Sequence, residues 1–300
     1  MNVYVDMGNF TTIARCENGE ITIPTLLRES TDRVYQGAFI IDEYQGLPYV
    51  VGDLNASKNV NINLSKMDLP HKLTMLTAVH QLVENKQHIN LYIGMPIKSY
   101  YNIPHREEYC EFMNDEEVTL TINNETKTFY IDSITALPES VGYIFLNPSD
   151  QPIGVIDIGH TTIDAGVFKN GMPIMESIFT ENKGADKLKT QVKSELNNKL
   201  LLNIQDYQID DIIDHGMYGK HHDAADEIIN QCYRQYMSDI VHMMVKHDWE
   251  IDSLPVVWTG GGANIIKNVV NQVDTFIASD NACYDNIDGF QELGVLVHGN

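Results

Sequence analysis

Positive charge is what this chain has least of: 20 Lys and Arg stand against 42 Asp and Glu in 300 residues, a formal net charge of −22. Such a field repels phosphate-rich polymers unless a basic patch offsets it, and no such patch is visible, so direct binding of nucleic acid is not expected. Cysteine is nearly as scarce. Cys16, Cys110, Cys232 and Cys283 lie far apart with no CxxC pairing. The N-terminus shows neither a basic segment nor an apolar run of signal-peptide form, and together these features point to a reducing cytoplasm. Every apolar stretch falls well short of the roughly 18 residues of a membrane span, so no membrane association is expected. Histidines are present, but His221-His222 and His242 with His247 do not make a matched ligand cluster, which argues against a metal centre built on them.

What remains is an ordinary globular composition, 43% hydrophobic and 21% charged. The length exceeds one compact core, so two domains are expected, with a ligand cleft between them. Apolar and polar positions alternate over the first thirty residues, through Val3-Tyr4-Val5, Thr11-Thr12-Ile13-Ala14 and Glu20-Ile21-Thr22-Ile23, with breaks at Gly8-Asn9 and Asn18-Gly19. That is the pattern of a three-stranded antiparallel meander. The stretch 35–63 is less regular and reads as a small exposed lobe. Residues 67–83 carry apolar side chains at helical spacing, Asn90-Leu91-Tyr92-Ile93 reads as a buried strand, and 118–131 as a hairpin around Asn123-Asn124.

A polar linker, Asn147-Pro148-Ser149-Asp150-Gln151-Pro152, marks the main boundary. Beyond it the opening pattern restarts: strand 154–158, a turn at Gly159-His160-Thr161-Thr162, strand 163–168, a hairpin turn at Asn170-Gly171, strand 172–179. The second half thus echoes the first at about 150 residues' distance. Helices are expected over 194–202, 209–213 and 224–245, and a short buried strand, 255–259, leads through Gly260-Gly261-Gly262 into a helix over 263–273. The domains expected are 1–152, with a C-terminal helix 284–300 returning to it, and 153–283. Alternation of helix and strand implies an α/β class.

Three turns carry candidate chemistry. Asp6-Met7-Gly8-Asn9-Phe10-Thr11 joins two strands, with a glycine that lets the backbone turn and expose consecutive N–H groups, and a carboxylate placed to hold Mg²⁺ through water. In isolation a capped hairpin turn is the better explanation of it. Asp157-Ile158-Gly159-His160-Thr161-Thr162-Ile163-Asp164 supplies the same device again with two added hydroxyls, and a pair of such turns can clamp a polyphosphate. Trp258-Thr259-Gly260-Gly261-Gly262-Ala263-Asn264 is either a tight strand-to-helix turn or a place where backbone approaches a flat ligand or a phosphate.

The two Asp-x-Gly turns resemble the phosphate motifs of the actin superfamily, and residues 259–264 resemble its adenosine motif. Within it, the second turn, Ile93-Gly94-Met95-Pro96, Leu137-Pro138-Glu139-Ser140 and Asn286-Ile287-Asp288-Gly289-Phe290 look like the ParM/StbA group of plasmid-segregation actins. The resemblance implies an actin-like α/β fold: two duplicated domains, central mixed sheets flanked by helices, and a nucleotide cleft. It implies that Asp6 and Asp157 organise Mg²⁺ and water, that Gly8, Asn9, Phe10, Gly159, His160, Thr161 and Thr162 cradle the phosphates of ATP or GTP, and that Gly260, Gly261, Gly262 and Ala263 line the adenosine. Glu139 matches the glutamate that orients the attacking water, although on its sequence alone a helix-cap role after Pro138 is the favoured reading. Lys183-Gly184-Ala185-Asp186-Lys187-Leu188 resembles the segment that touches ribose and base, through Gly184, Asp186 and Lys187.

One departure stands out. The family usually has a phosphate-contacting lysine five residues after the first glycine, and Ile13 occupies that position, leaving Arg15 or the metal to compensate. The implied function is an ATPase that polymerises head to tail into nucleotide-dependent filaments for plasmid DNA segregation, reaching the plasmid centromere through a DNA-binding adaptor protein. A non-filamentous nucleotide-binding regulatory protein and a small-molecule kinase of the same superfamily remain as alternatives. A chaperone ATPase is disfavoured because a substrate-binding domain would be expected to follow.

Overall fold

A computed structural model describes residues 1–29, 37–54, 65–217 and 219–298. The chain divides into two compact units, one of residues 1–146 and 286–300 and the other of residues 147–285.

Unit 1 contains β1 (Asn2–Met7), β2 (Thr11–Cys16), β3 (Gly19–Pro24), β4 (Leu27–Glu29), β5 (Phe39–Tyr44), β6 (Leu47–Val51), α1 (Leu69–Leu82), β7 (Gln87–Met95), α2 (Ile97–Tyr100), α3 (Ile103–Met113), β8 (Glu117–Ile122), β9 (Glu125–Pro138) and α4 (Gly142–Leu146). Its strands form one sheet in the order β3-β2-β1-β7-β9-β8-β5-β6-β4. The opening meander is antiparallel, with Asp6 facing Ile13 and Ile13 facing Thr22, and β7 then joins β1 in parallel. Asn123 and Asn124, both at positive φ (51° and 67°), close the β8–β9 hairpin with the backbone twist that tight two-residue turns require.

Helix α1 starts at a capping Asp68 whose carboxylate accepts from the His71 amide at 3.0 Å, with Pro70 in its first turn. It is buried along an unbroken run from His71 to His80, because the polar side chains on its far side are also covered. Val3, Val5, Leu73, Leu76, Val79, Leu91 and Ile93 make the centre of the unit's core.

Unit 2 contains β10 (Ile153–Ile158), β11 (Ile163–Lys169), β12 (Met172–Glu181), α5 (Ala185–Leu200), α6 (Asp206–His215), α7 (His222–Lys246), β13 (Val256–Thr259), α8 (Ala263–Val270) and β14 (Phe276–Ala278), and the last helix α9 (Asp285–His298) begins at its final residue. The sheet order is β12-β11-β10-β13-β14. Again a three-stranded antiparallel meander is followed by a parallel neighbour of its first strand, with Asp157 facing Asp164 and Val155 facing Val257. Leu188, Val192 and Leu196, at helical spacing on α5, pack into a core with Ile156, Ile158, Ile163, Ile228, Ile240 and Trp258.

The structure corrects one expectation. Much of 35–63 reads as an exposed lobe, yet β5 and β6 are strands of the main sheet, and Ile41, Tyr49, Val50 and Val51 are buried. The glycines and Pro48 mask a short two-stranded ladder whose apolar alternation is confined to a few positions. The remaining parts of that lobe, 35–36 and 55–63, lie outside the described residues.

Candidate functional site

In unit 1 the β1–β2 turn is closed by the Gly8 amide donating to the Thr11 carbonyl at 2.9 Å. A Cβ on Gly8 would stand 2.6 Å from that oxygen, so the turn admits no side chain there. Thr25 fastens the turn from within: its hydroxyl donates to the Gly8 carbonyl at 2.7 Å and its amide to the Phe10 carbonyl at 2.8 Å. The side-chain oxygen Oδ1 of Asn9 is buried without a hydrogen-bond partner among the described residues. Burying an unmatched polar atom costs about 1–3 kcal/mol, which suits a position completed by a bound ligand.

Unit 2 repeats the device. The Gly159 amide donates to the Thr162 carbonyl at 2.9 Å, the counterpart of the Gly8–Thr11 bond. Here the fastening comes from the start of α5: Gly184, Ala185 and Asp186 amides donate to the carbonyls of Thr161, Gly159 and His160 at 3.0, 2.9 and 2.9 Å. The hydroxyl oxygen of Thr161 is buried and unpartnered among the described residues, as Asn9 Oδ1 is in the first turn. Thr162 instead donates to Asp164 at 3.2 Å, and Thr180 donates to the same carboxylate. Burial pushes the His160 imidazole below its usual range, so the turn carries a neutral ring at physiological pH.

The glycine triplet packs directly onto this second turn. A Cβ on Gly260, whose φ is +79°, would lie 2.2 Å from the Asp157 carboxylate, and one on Gly262 would lie 2.3 Å from the Ile158 side chain. The Gly262 amide donates to the Ile158 carbonyl at 2.8 Å. Gly261 differs: among the described residues a Cβ there would meet only Cys283 Sγ, at 3.7 Å. Ala263 points its methyl into the core. Gly184, with its amide committed to Thr161, acts on the turn itself, while Asp186 and Lys187 are exposed on the first turn of α5.

Glu139 follows β9, its amide donating to the Met95 carbonyl at 2.9 Å. Its carboxylate forms an ion pair with the Lys66 ammonium at 2.5 Å, both side chains being nearly inaccessible. Asp6 lies in the same electrostatic neighbourhood: burial holds its carboxyl above the usual 3.8, against the lowering pull of the Lys66 charge and a hydrogen bond from Asn286. Asn286 also accepts from the Ser140 amide at 3.0 Å and so ties Asp6 to the residue after Glu139. Gly94 makes room for this arrangement, since a Cβ there would stand 2.8 Å from Glu139 Oε1 and 3.1 Å from the Phe290 ring. Gly289 in turn lets α9 meet α4, where a Cβ would come within 2.3 Å of the Gly142 Cα. The phrases 93–96, 137–140 and 286–290, distant in sequence, thus converge in unit 1.

Two family descriptions match successive halves of the chain: the N-terminal domain of actin-like proteins over residues 5–142, and the C-terminal domain of an archaeal MreB-like actin homologue over residues 155–272. This chain belongs to the actin-like superfamily. Among solved structures it is similar to the archaeal actin homologue Ta0583, with a TM-score of 0.80 at 16% identity, covering 98% of either chain. It is similar to apo pSK41 ParM, with a TM-score of 0.74 at 17% identity over 99% of this chain and 97% of that one. A 15-stranded ParM filament from Clostridium botulinum gives 0.76 at 18% identity, over 98% and 99%. Ta0583 has also been solved in complex with ADP. No curated protein matches by sequence.

The actin-like fold thus gathers Asp157, Gly159–Thr162, Gly184 and the glycine triplet in one unit, and Asp6, Gly8–Phe10 and Glu139 in the other. Single carboxylates such as Asp6 and Asp157 suit Mg²⁺, which keeps most of its waters and leans on substrate phosphates instead of an all-protein cage. Sequence reasoning overlooked Lys66. It follows an irregular stretch, and no periodicity marks it. Asn286 was within reach, since its phrase belongs to the resemblance, but nothing in the sequence assigned its bridging bonds.

Proposed function

We propose that this actin-like chain is an ATPase that binds ATP or GTP with Mg²⁺ and assembles head to tail into filaments that move or separate plasmid DNA through a DNA-binding adaptor. The observation that carries the reading is the duplicated turn: the same glycine-closed hydrogen bond at Gly8 and Gly159, each beside an aspartate and each with a buried polar atom that has no hydrogen-bond partner among the described residues. Bound Mg²⁺ would neutralise developing phosphate charge. Asp6 and Asp157 would orient its waters, Thr161 and Asn9 would meet phosphate or water, Gly261 would admit the flat base, and Glu139 would align the attacking water with the scissile phosphate.

Ta0583 in its ADP complex and the ParM filament support nucleotide binding and self-association respectively. A head-to-tail contact between unlike surfaces does not close on itself and yields a polymer. The net charge of −22 agrees with contact to DNA through an adaptor. Calorimetric titration with Mg²⁺–ATP tests the nucleotide half: the wild type should bind, and Asp157→Ala should weaken binding roughly tenfold or more, the scale of a lost charge-assisted contact. Equal affinities for the two proteins would remove Asp157 from the site.

A further inference from the structure

The missing lysine at position 13 leaves a polyphosphate beside the first turn without a cation from that strand. Ile13 is buried opposite Asp6 in the sheet. Arg15, the nearest candidate in sequence, is committed elsewhere: its guanidinium donates to Asp288 at 2.5 Å, Gln291 at 2.9 Å and Glu20 at 2.7 Å. Among the described residues two lysines are buried, Lys66 and Lys72. Lys72 reaches the Phe112 carbonyl and Asp115, both at 2.9 Å, and stabilises the start of β8. Of these two, Lys66 is the one that directs its charge at Asp6 and Glu139.

We propose that Lys66 is a nucleotide-site residue whose ammonium contacts the terminal phosphate, supplying the positive charge that Ile13 does not. This rests on the nucleotide reading given above. Three observations carry it. A group bonded to the carboxylate that aligns the attacking water lies within about one water's reach of the phosphate that water attacks. Among the described residues the Asp6 and Glu139 carboxyls both face this ammonium, so an incoming phosphate meets carboxyl oxygens unless that ammonium and the metal receive it. The backbone is strained on both sides of the pair, with Lys66 at φ +55° and Ser140 at φ +66°, left-handed conformations that side chains other than glycine seldom adopt. Stability alone is a poor reason to keep such a pair, because a buried ion pair often contributes no more than apolar residues of the same volume.

The experiment compares binding of Mg²⁺–ADP and of a non-hydrolysable Mg²⁺–ATP analogue to the wild type, Lys66→Met, Lys66→Arg and Glu139→Gln. Lys66→Met should lose roughly ten- to a hundredfold in affinity for the triphosphate and little for ADP, the worth of one hydrogen bond to a charged group. Lys66→Arg should recover part of that loss, and Glu139→Gln serves as the parent against which the double variant is read. Because Lys66→Met leaves Glu139 unpaired and endangers folding, the double variant Lys66→Met/Glu139→Gln must show the same selective loss. Wild-type binding with an unchanged triphosphate-to-diphosphate ratio in both Met variants would overturn the role of Lys66 and leave the nucleotide reading intact. A wild type that binds neither nucleotide would overturn both.

Discussion

Asp6 sits where burial works against its charge. Its carboxyl is held above the ordinary 3.8, with Lys66 and Asn286 only partly offsetting the loss of water. A carboxyl whose folded-state value is raised contributes fully to stability below its unfolded value, where both states are protonated, and that contribution is lost as pH rises through the folded value. At pH 7 the burial of Asp6 therefore costs the folded protein stability, a cost a functional site tolerates for the sake of a ligand. Asp6→Asn should unfold about 2–4 °C higher at pH 7, the scale of about 1 kcal/mol, while weakening Mg²⁺–nucleotide binding. The difference in melting temperature should close as pH falls towards about 4; a variant less stable than wild type at pH 7 would contradict the burial of charge. The two aspartates, with Gly8 and Gly159, are legible in the sequence because turn chemistry is local. Lys66 is not, because its significance lies in a through-space pair with Glu139, 73 residues away.

At the scale of elements, the sequence speaks where periodicity is long. The meanders, α1 and α7 follow their apolar patterns, and the hairpins follow Asn-Gly and Asn-Asn. Helix α3 is not read, since only Tyr109 and Met113 of its eleven residues are buried and no apolar stripe forms. Strands β5 and β6 hide behind Gly46 and Pro48, and the first three turns of α5 carry too many charges to announce a helix whose N-terminus is fixed by a distant turn. The glycine triplet looks uniform in sequence, but packing separates its members. Gly262→Ala drives a methyl into Ile158 and should destabilise the protein by about 1–3 kcal/mol, the usual penalty of overpacking. Gly261→Ala has room beside Cys283 and should leave denaturant stability within about 0.5 kcal/mol of wild type. Chemical denaturation separates the two; equal losses would mean that α8 does not pack against the end of β10 in this way.

At the scale of the whole molecule, the duplication organises both fold and chemistry. One strand-turn-strand device occurs twice, at Gly8 and Gly159, each time on a strand that gains a parallel neighbour, β7 or β13. This repetition is visible in the sequence because both halves keep the same order of turn residues. Surfaces that would join one copy to the next carry no such signature, since they involve no turn or period. No helix among the described residues is long and apolar enough to cross a membrane. The most direct test of nucleotide-driven assembly is light scattering, with negative-stain microscopy of the same samples, in Mg²⁺–ATP, Mg²⁺–ADP and no nucleotide. Filaments that form in Mg²⁺–ATP and shorten or vanish as phosphate is released are the expected result; monomers at high protein concentration in every nucleotide state would contradict it.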